Sequence, residues 1–473
     1  MRVIPLLALC TAAVAPLAAQ SANDAAQKEA REILTEMVSM NTSLQRGDVT
    51  PLAEKLAARF RKAGVPAADV QVVGPEAKNR NLVVRIRGKG SAKPVLFLAH
   101  LDVVDALRGD WSLEPFALTQ QKDGWLYGRG TADDKGPAAT LVAAALALVR
   151  SKVVPEHDIV LALTSGEENA DEPGAAWLIH SRRELVDAAW VFNFDAGGPS
   201  IDRGKLAWLE LQGAEKVYWT VTLTARNPGG HSSLPRPDNA IFSLVNAVRA
   251  LEGLAFPVDL TDVARAQLTA RAAFVAGPEA AVIKDALKLP VDSNGAFRLA
   301  RFSPSYNALL RTTCIPTMLA AGHAENALPA LATATVNCRL VPGETSASAL
   351  QAIKAVINDT AITLAEVNPA KPSPPSPLLP ERLALIKAAS KAAWGHEVPI
   401  TPVQENGATD GLYFRNAGIP VYGVTGIATP VGEERMHGKD ERILAKSFME
   451  GVVFATALMK ETAGGKAAAK PKK

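Results

Sequence analysis

The chain has 473 residues, 48% of them hydrophobic and 21% charged, with 34 Gly and 32 Pro. That length amounts to about three domain equivalents at ~150 residues each, or two unequal domains, and the composition excludes a disordered or collagen-like chain. The net charge of +3 is too small to mark a nucleic-acid or membrane-binding surface, and it comes from the ends, where Arg2, Lys466, Lys470, Lys472 and Lys473 lie.

In chain order, Arg2 precedes an apolar stretch from Val3 to about Val14, followed by Pro16 and the small residues Ala18 and Ala19. This is the layout of a cleavable signal peptide over residues 1–19, too short and wrongly flanked to span a membrane. The mature protein is therefore expected in the periplasm or outside the cell. Cys10 follows the bulky Leu9, which argues against lipid attachment. No later apolar run is long enough for a membrane span.

A catalytic domain is expected from residue 20 to 214. Ala26, Ala30, Ile33, Met37, Leu52, Leu56 and Phe60 follow helical spacing. Apolar strands at 81–88, 95–100, 159–164 and 190–195 then alternate with Ala-rich helices over 137–150 and 174–185. Continuous apolar strands joined by helices predict an α/β fold, with a mixed, mostly parallel sheet covered by helices on both faces. Over 215–367 the pattern changes. A strand at 217–226, a helix at 239–252, two strands around Asn326 and a helix at 346–358 predict an inserted α+β, ferredoxin-like domain. Residues 256–305 fit that order poorly and read as a mostly helical insertion. The Pro-rich NPAKPSPPSPLLP marks the return to the catalytic domain, expected over 368–462 with a strand at 419–426. The low-complexity AGGKAAAKPKK at 463–473 reads as a disordered basic tail.

Two cysteines remain after the signal segment, Cys314 and Cys338, in stretches that read as antiparallel strands. An oxidising compartment allows a disulfide; two separate buried thiols are the alternative.

Ligands in an open α/β sheet bind beyond the carboxyl ends of its strands. Four segments there end in metal-binding side chains: His100-Leu101-Asp102, Asp133-Asp134 in GRGTADDKG, Glu167-Glu168, and Asp195 in FDAGG. His437 in RMHGKDERI follows the last strand region. Singly, each has an ordinary explanation: paired glutamates as solvated surface, paired aspartates as a helix cap. Acidic or imidazole groups after four successive buried strands are not expected by chance. Carboxylates and imidazoles without thiolates suit Zn²⁺, with Co²⁺ or Mn²⁺ as substitutes. They are too many for one catalytic zinc and fit a pair of ions sharing a carboxylate. Neither a dinucleotide-binding glycine pattern nor a nucleophile elbow is present.

The series HLD, GRGTADDKG, SGEE, FDAGG, GGHSS, NCRLVPG, MHGKDE resembles the dizinc metallopeptidase superfamily of glutamate carboxypeptidase, aminoacylase, carnosinase and succinyl-diaminopimelate desuccinylase, over nearly the whole mature chain. The resemblance implies two Zn²⁺ per chain: His100 and Asp195 on one, Glu168 and His437 on the other, and Asp133 bridging, with a cis peptide to Asp134. It implies that Asp102 orients and polarises His100. Glu167 is implied as the general base, taking a proton from the attacking water and delivering it to the leaving amine. The inserted domain resembles a lid and dimerisation domain, which implies a homodimer. There His231 resembles a histidine that stabilises the oxyanion in a partner's site, although it also reads as a turn residue capping the next helix. Asn326 and Arg339 resemble substrate-binding residues, Arg339 taking a carboxylate through two parallel hydrogen bonds.

The leading expectation is an exported metal-dependent exopeptidase, a carboxypeptidase or dipeptidase, acting on a small peptide. An N-acyl-amino-acid amidohydrolase with the same chemistry is the alternative. An inactive binding protein is the remote one, since Glu167 and all five proposed ligands are retained.

Overall fold

The computed structural model describes residues 14–464 apart from 91, 169, 289–292 and 434. Residues 1–13 of the expected signal segment, with Cys10, and 465–473 of the expected tail lie outside the described residues.

Strand formation follows the apolar runs. Val95–His100 and Ile159–Thr164 are buried at every position, as a strand covered on both faces must be. They pair in parallel, Val95 opposite Ile159 and His100 opposite Thr164, and Val95–His100 also pairs in parallel with Trp190–Asn193. The three strands therefore end at nearly the same level, so the residues that follow each emerge along one edge. The full sheet is mixed, in the order Val70–Glu76, Asn79–Ile86, Ile159–Thr164, Val95–His100, Trp190–Asn193, Val421–Gly423, Lys205–Glu215, Gly198–Asp202, Thr429–Pro430, with Ile400–Glu405 also on Lys205–Glu215. The helix Lys135–Ser151 packs on its centre, and Val14–Val38, Pro380–Trp394 and Ala445–Ala463 pack around that helix or one another. The last helix takes in Ala463, which is buried. Among the described residues no helix is long and apolar enough to cross a membrane.

The chain divides into two compact units. The first comprises residues 1–210, 378–400 and 422–473; the second comprises 211–377 and 401–421. In the second, Thr313–Ala321, Leu331–Leu340, Val217–Arg226 and Ile362–Glu366 form an antiparallel sheet in that order. Alternate residues Trp219, Val221, Leu223 and Val336 point into a core with Leu244 and Ile353 of helices Ala240–Ala250 and Ser346–Ile357, the period-2 pattern of a half-covered sheet. The described residues of 262–310 form four helices around a small core of Leu268, Ile283, Leu299 and Leu310. Cys314 and Cys338 stand opposite one another in the strand pair and form a disulfide.

Residues 401–421 belong to the second unit and share a buried polar network with it. Glu215 accepts hydrogen bonds from Ser373 (2.7 Å) and from Thr409 N–H and Oγ1, and pairs with Arg415 at 2.9 Å. Both ionised groups are enclosed, and a buried charge persists only when paired and hydrogen-bonded.

Candidate metal centre

The strand ends deliver their side chains to one place. His100 closes Val95–His100; Asp195 follows Trp190–Asn193; Glu167 and Glu168 follow Ile159–Thr164. Asp133 lies before the helix Lys135–Ser151 and is joined to Asp134 by a cis peptide. Gly136 opens that helix where any Cβ would collide with the Thr131 carbonyl.

His100 Nε2 lies 2.9 Å from Asp133 Oδ1 and 3.5 Å from Asp195 Oδ1. His437 Nε2 lies 2.9 Å from Asp133 Oδ2 and 3.1 Å from Glu168 Oε2. Two three-residue groups result, sharing Asp133 through its two different oxygens. His437 adopts a left-handed backbone conformation, φ 61°, one in which His, like Asn and Asp, is enriched among non-glycine residues. The two sides differ in access: the His100 side chain is 2% exposed and that of His437 57%.

Asp102 does more than orient His100. Its backbone carbonyl is 3.1 Å from His100 Nδ1, while its carboxylate accepts the N–H groups of Glu167 (3.2 Å) and Glu168 (3.0 Å). One buried residue thus fixes the imidazole and the turn that carries both glutamates. Asp134 accepts the His100 N–H at 2.9 Å.

Charge follows geometry. Hydrogen bonds donated to the carboxylates of Asp133 and Glu168 push the pKa of the His437 imidazole up to about 10. Burial opposes charge on His100, but Asp195, Asp102 and Asp133 outweigh it and hold that imidazole well above its usual range. Burial would raise the Asp133 carboxyl, yet the two histidines hold it well below the usual carboxylate range. Burial lifts Asp195 to about 6.

The residues fit metal. Around a tetrahedral ion at ~2.0–2.2 Å, neighbouring ligand atoms stand about 3.3–3.6 Å apart, close to the separations here. Glu168 Oε1 is buried and has no hydrogen-bond partner among the described residues, an orphaned acceptor of the kind a cation satisfies. The donors are nitrogen and oxygen only, suiting Zn²⁺, Mn²⁺ or Co²⁺.

In the second unit, His231 and Asn326 stand side by side. Gly230–His231 pairs with Ala327–Leu328, and Ser232 N–H donates to the Asn326 carbonyl at 3.0 Å. His231 Nδ1 accepts the Ser233 N–H at 3.2 Å, which in the neutral ring leaves the hydrogen on Nε2. Arg339 lies over the Tyr218 ring at 4.6 Å and, among the described residues, makes no ion pair with a carboxylate. Burial lowers its pKa.

Glu441 and Arg129 were within quoted motifs but had no expected role. Both are buried, and Glu441 pairs with Arg129 at 2.6 Å. A glutamate four residues after the candidate ligand His437, within MHGKDE, is the sequence signal available for it.

A mixed α/β scaffold with two carboxylate–imidazole groups sharing an aspartate defines a metallohydrolase. Residues 96–461 match the profile of Peptidase family M20/M25/M40, and the chain belongs to that family, whose members bind metal as a dinuclear centre and hydrolyse peptide or amide bonds. The chain is similar to the human N-fatty-acyl-amino acid synthase/hydrolase PM20D1, 27% identical over 91% of this chain and 86% of that one. It is also similar to a probable carboxypeptidase S-like 2 of Dictyostelium discoideum, 28% identical over 81% of this chain and 75% of that one. Among solved structures it shares the fold of an M20 family metallo-carboxypeptidase from Sulfolobus solfataricus, with TM-score 0.68 and 18% identity over 91% of this chain and 98% of that one.

Proposed function

We propose that the chain hydrolyses the amide bond to the nitrogen of a C-terminal amino acid. The observation that carries this reading is the carboxylate of Asp133, one oxygen on each of two histidines, beside the Glu167-Glu168 turn. His100, Asp133 and Asp195 would hold one ion, and Asp133, Glu168 and His437 the other. Zn²⁺ is the metal we infer, two per chain; such ions supply Lewis-acid polarisation of the carbonyl and an acidified water. Glu167 takes the proton of the attacking water and passes it to the leaving nitrogen. Asp102 holds the backbone of that base through its carboxylate. His231, with its hydrogen on Nε2, donates to the developing oxyanion, Asn326 contributes to substrate binding, and Arg339 takes the substrate carboxylate.

Of the two expected substrates we place the N-acyl amino acid first. The relative matched over nine-tenths of this chain is by name an N-fatty-acyl-amino acid synthase/hydrolase, which favours an N-acyl amino acid. The carboxypeptidase S-like relative supports the exopeptidase as the second reading. Metal content per chain, with turnover of N-acyl amino acids and dipeptides before and after chelation, tests both. Two ions and chelator-sensitive release of a C-terminal amino acid are expected. Turnover that survives complete metal removal overturns the mechanism.

Residues 211–377 also support a lid and homodimer role. Thr313–Ala321 is an edge strand exposing Met318 and Leu319, and the helix Ala240–Ala250 exposes Phe242 and Val245, surface that a partner would cover. Sedimentation should give a dimer that Met318→Lys with Phe242→Lys converts to monomer; a monomeric wild type rules it out. Export is inferred from the Arg2-led apolar segment, and the N-terminus of protein recovered from the periplasm or medium should begin near residue 20.

A further inference from the structure

We infer that Glu441 is a positioning residue for the metal centre: its single carboxylate holds the loop carrying Asp133 and the loop carrying His437 in one fixed relation. The inference rests on the dinuclear reading proposed above.

Strands Trp125–Tyr127 and Arg442–Leu444 pair antiparallel, Tyr127 opposite Arg442, and the Gly128 N–H extends the ladder to the Glu441 carbonyl at 3.0 Å. Both loops leave from the end of that ladder, and Glu441 stands where they part. Its Oε1 accepts the N–H groups of Ala132 (2.7 Å) and Asp133 (3.1 Å). Its Oε2 accepts the Gly130 N–H (3.0 Å) and Arg129 Nη1 (2.6 Å). Arg129 Nη2 in turn donates to the carbonyls of Gly438 (3.0 Å) and His437 (3.3 Å). A second tether, Ser112 N–H and Oγ to the Asp440 carboxylate, each at 2.8 Å, also holds the His437 loop.

Four donors converge on one fully buried carboxylate. An amide of the same shape offers one accepting oxygen and turns an NH₂ group against the remaining donors. Since Arg129 is the strongest donor, the amide oxygen of a Gln would stay with it, and the Ala132 and Asp133 N–H groups would lose their acceptor. The consequence is asymmetric. Two of the three ligands in the Asp133–Glu168–His437 group sit on these loops, but only one of three in the His100–Asp133–Asp195 group.

The test is Zn²⁺ binding to the metal-free full chain, measured by competition with a chromophoric chelator for wild type, Glu441→Gln and Arg129→Lys. His437→Ala identifies the binding step of its group, and melting of each metal-free protein is recorded alongside. Glu441→Gln is expected to weaken the His437 step ~10–100-fold, the usual cost of losing a partner behind a ligand, with the other step nearly unchanged. Arg129→Lys, which keeps the charge but not the fork, should weaken the same step less. Two unchanged steps in both variants overturn the inference, as do two steps that weaken equally in proportion to a lowered melting temperature. A wild-type chain taking up fewer than two ions overturns the dinuclear reading itself and this inference with it, a result distinct from either.

Discussion

The two units hold their functional candidates in contrasting ways. In the first, His100, Asp102, Asp133, Asp195 and Glu168 are mostly enclosed, His437 is 57% exposed, and each is tied by at least one hydrogen bond or close polar contact to another member or its backbone. In the second, His231 lies exposed on a two-residue ribbon, Asn326 lies exposed in the turn that leads into its partner strand, and Arg339 rests on a tyrosine ring without a counter-ion among the described residues. Groups that must hold a multivalent cation have to be fixed before it arrives. Groups that meet a passing substrate must keep donors available, which costs them internal partners. The contrast matches the proposed division between residues that would hold metal and residues that would meet substrate.

The sharpest way to break that separation is to remove the base. Glu167→Gln should lower kcat by ~10²–10⁴-fold while metal analysis still finds two ions per chain; near-normal turnover would show that another group moves the proton. Next, His231→Ala should lose ~10²–10³-fold in kcat, the scale of one oxyanion donor, with unchanged metal content. Metal loss in that variant would mean the units are not separable in this sense. A smaller, selective effect is expected at Arg339. Its replacement by Met should raise KM about 10–100-fold for substrates with a free carboxylate, from one charge-assisted contact of ~1.5–3 kcal/mol, and leave their carboxamides unaffected.

The smallest effect concerns stability of the second unit. Lys216 is buried and donates to the carbonyls of Ala308 and Arg311 and to Thr313 Oγ1. Burial, with repulsion from Arg339, pulls its ammonium down to about 7, against ~10.4 in the unfolded chain. Between those values the unfolded state binds more protons, so stability rises with pH from about 7 towards 10; below about 7 both states hold the proton and this contribution is flat at its lowest. Melting scans should show a rise on the order of a few °C over that window. Lys216→Met should flatten it, and an unchanged slope would assign the effect elsewhere.

Much of the centre was legible because a buried parallel strand has to be a continuous apolar run, which fixes where its carboxyl end falls. VLFLA and IVLALT are such runs, and the ligands stand one to four residues past them. The helical character of 256–305 and the strands about Asn326 were also legible, the first because the stretch departs from the α+β order around it. Glu215 and Arg415 were not, since their pairing joins segments 200 residues apart that carry no shared pattern. The same holds for the assignment of 401–421 to the second unit, which joins segments equally far apart in the chain.

The sequence by itself determined the residue types at the strand ends, the order of elements and hence the chemistry available: nitrogen and oxygen donors, a spare glutamate, no thiolate. It left Cys314 and Cys338 open between a bond and two thiols, and the register of their strands decided for the bond. Tertiary structure alone decided that Asp133 turns one oxygen to each histidine, that Asp102 serves two loops, and that Glu441 meets four donors. Those outcomes depend on distances between segments far apart in the chain. Local propensity sets where an element begins and ends, but only packing sets which ends meet.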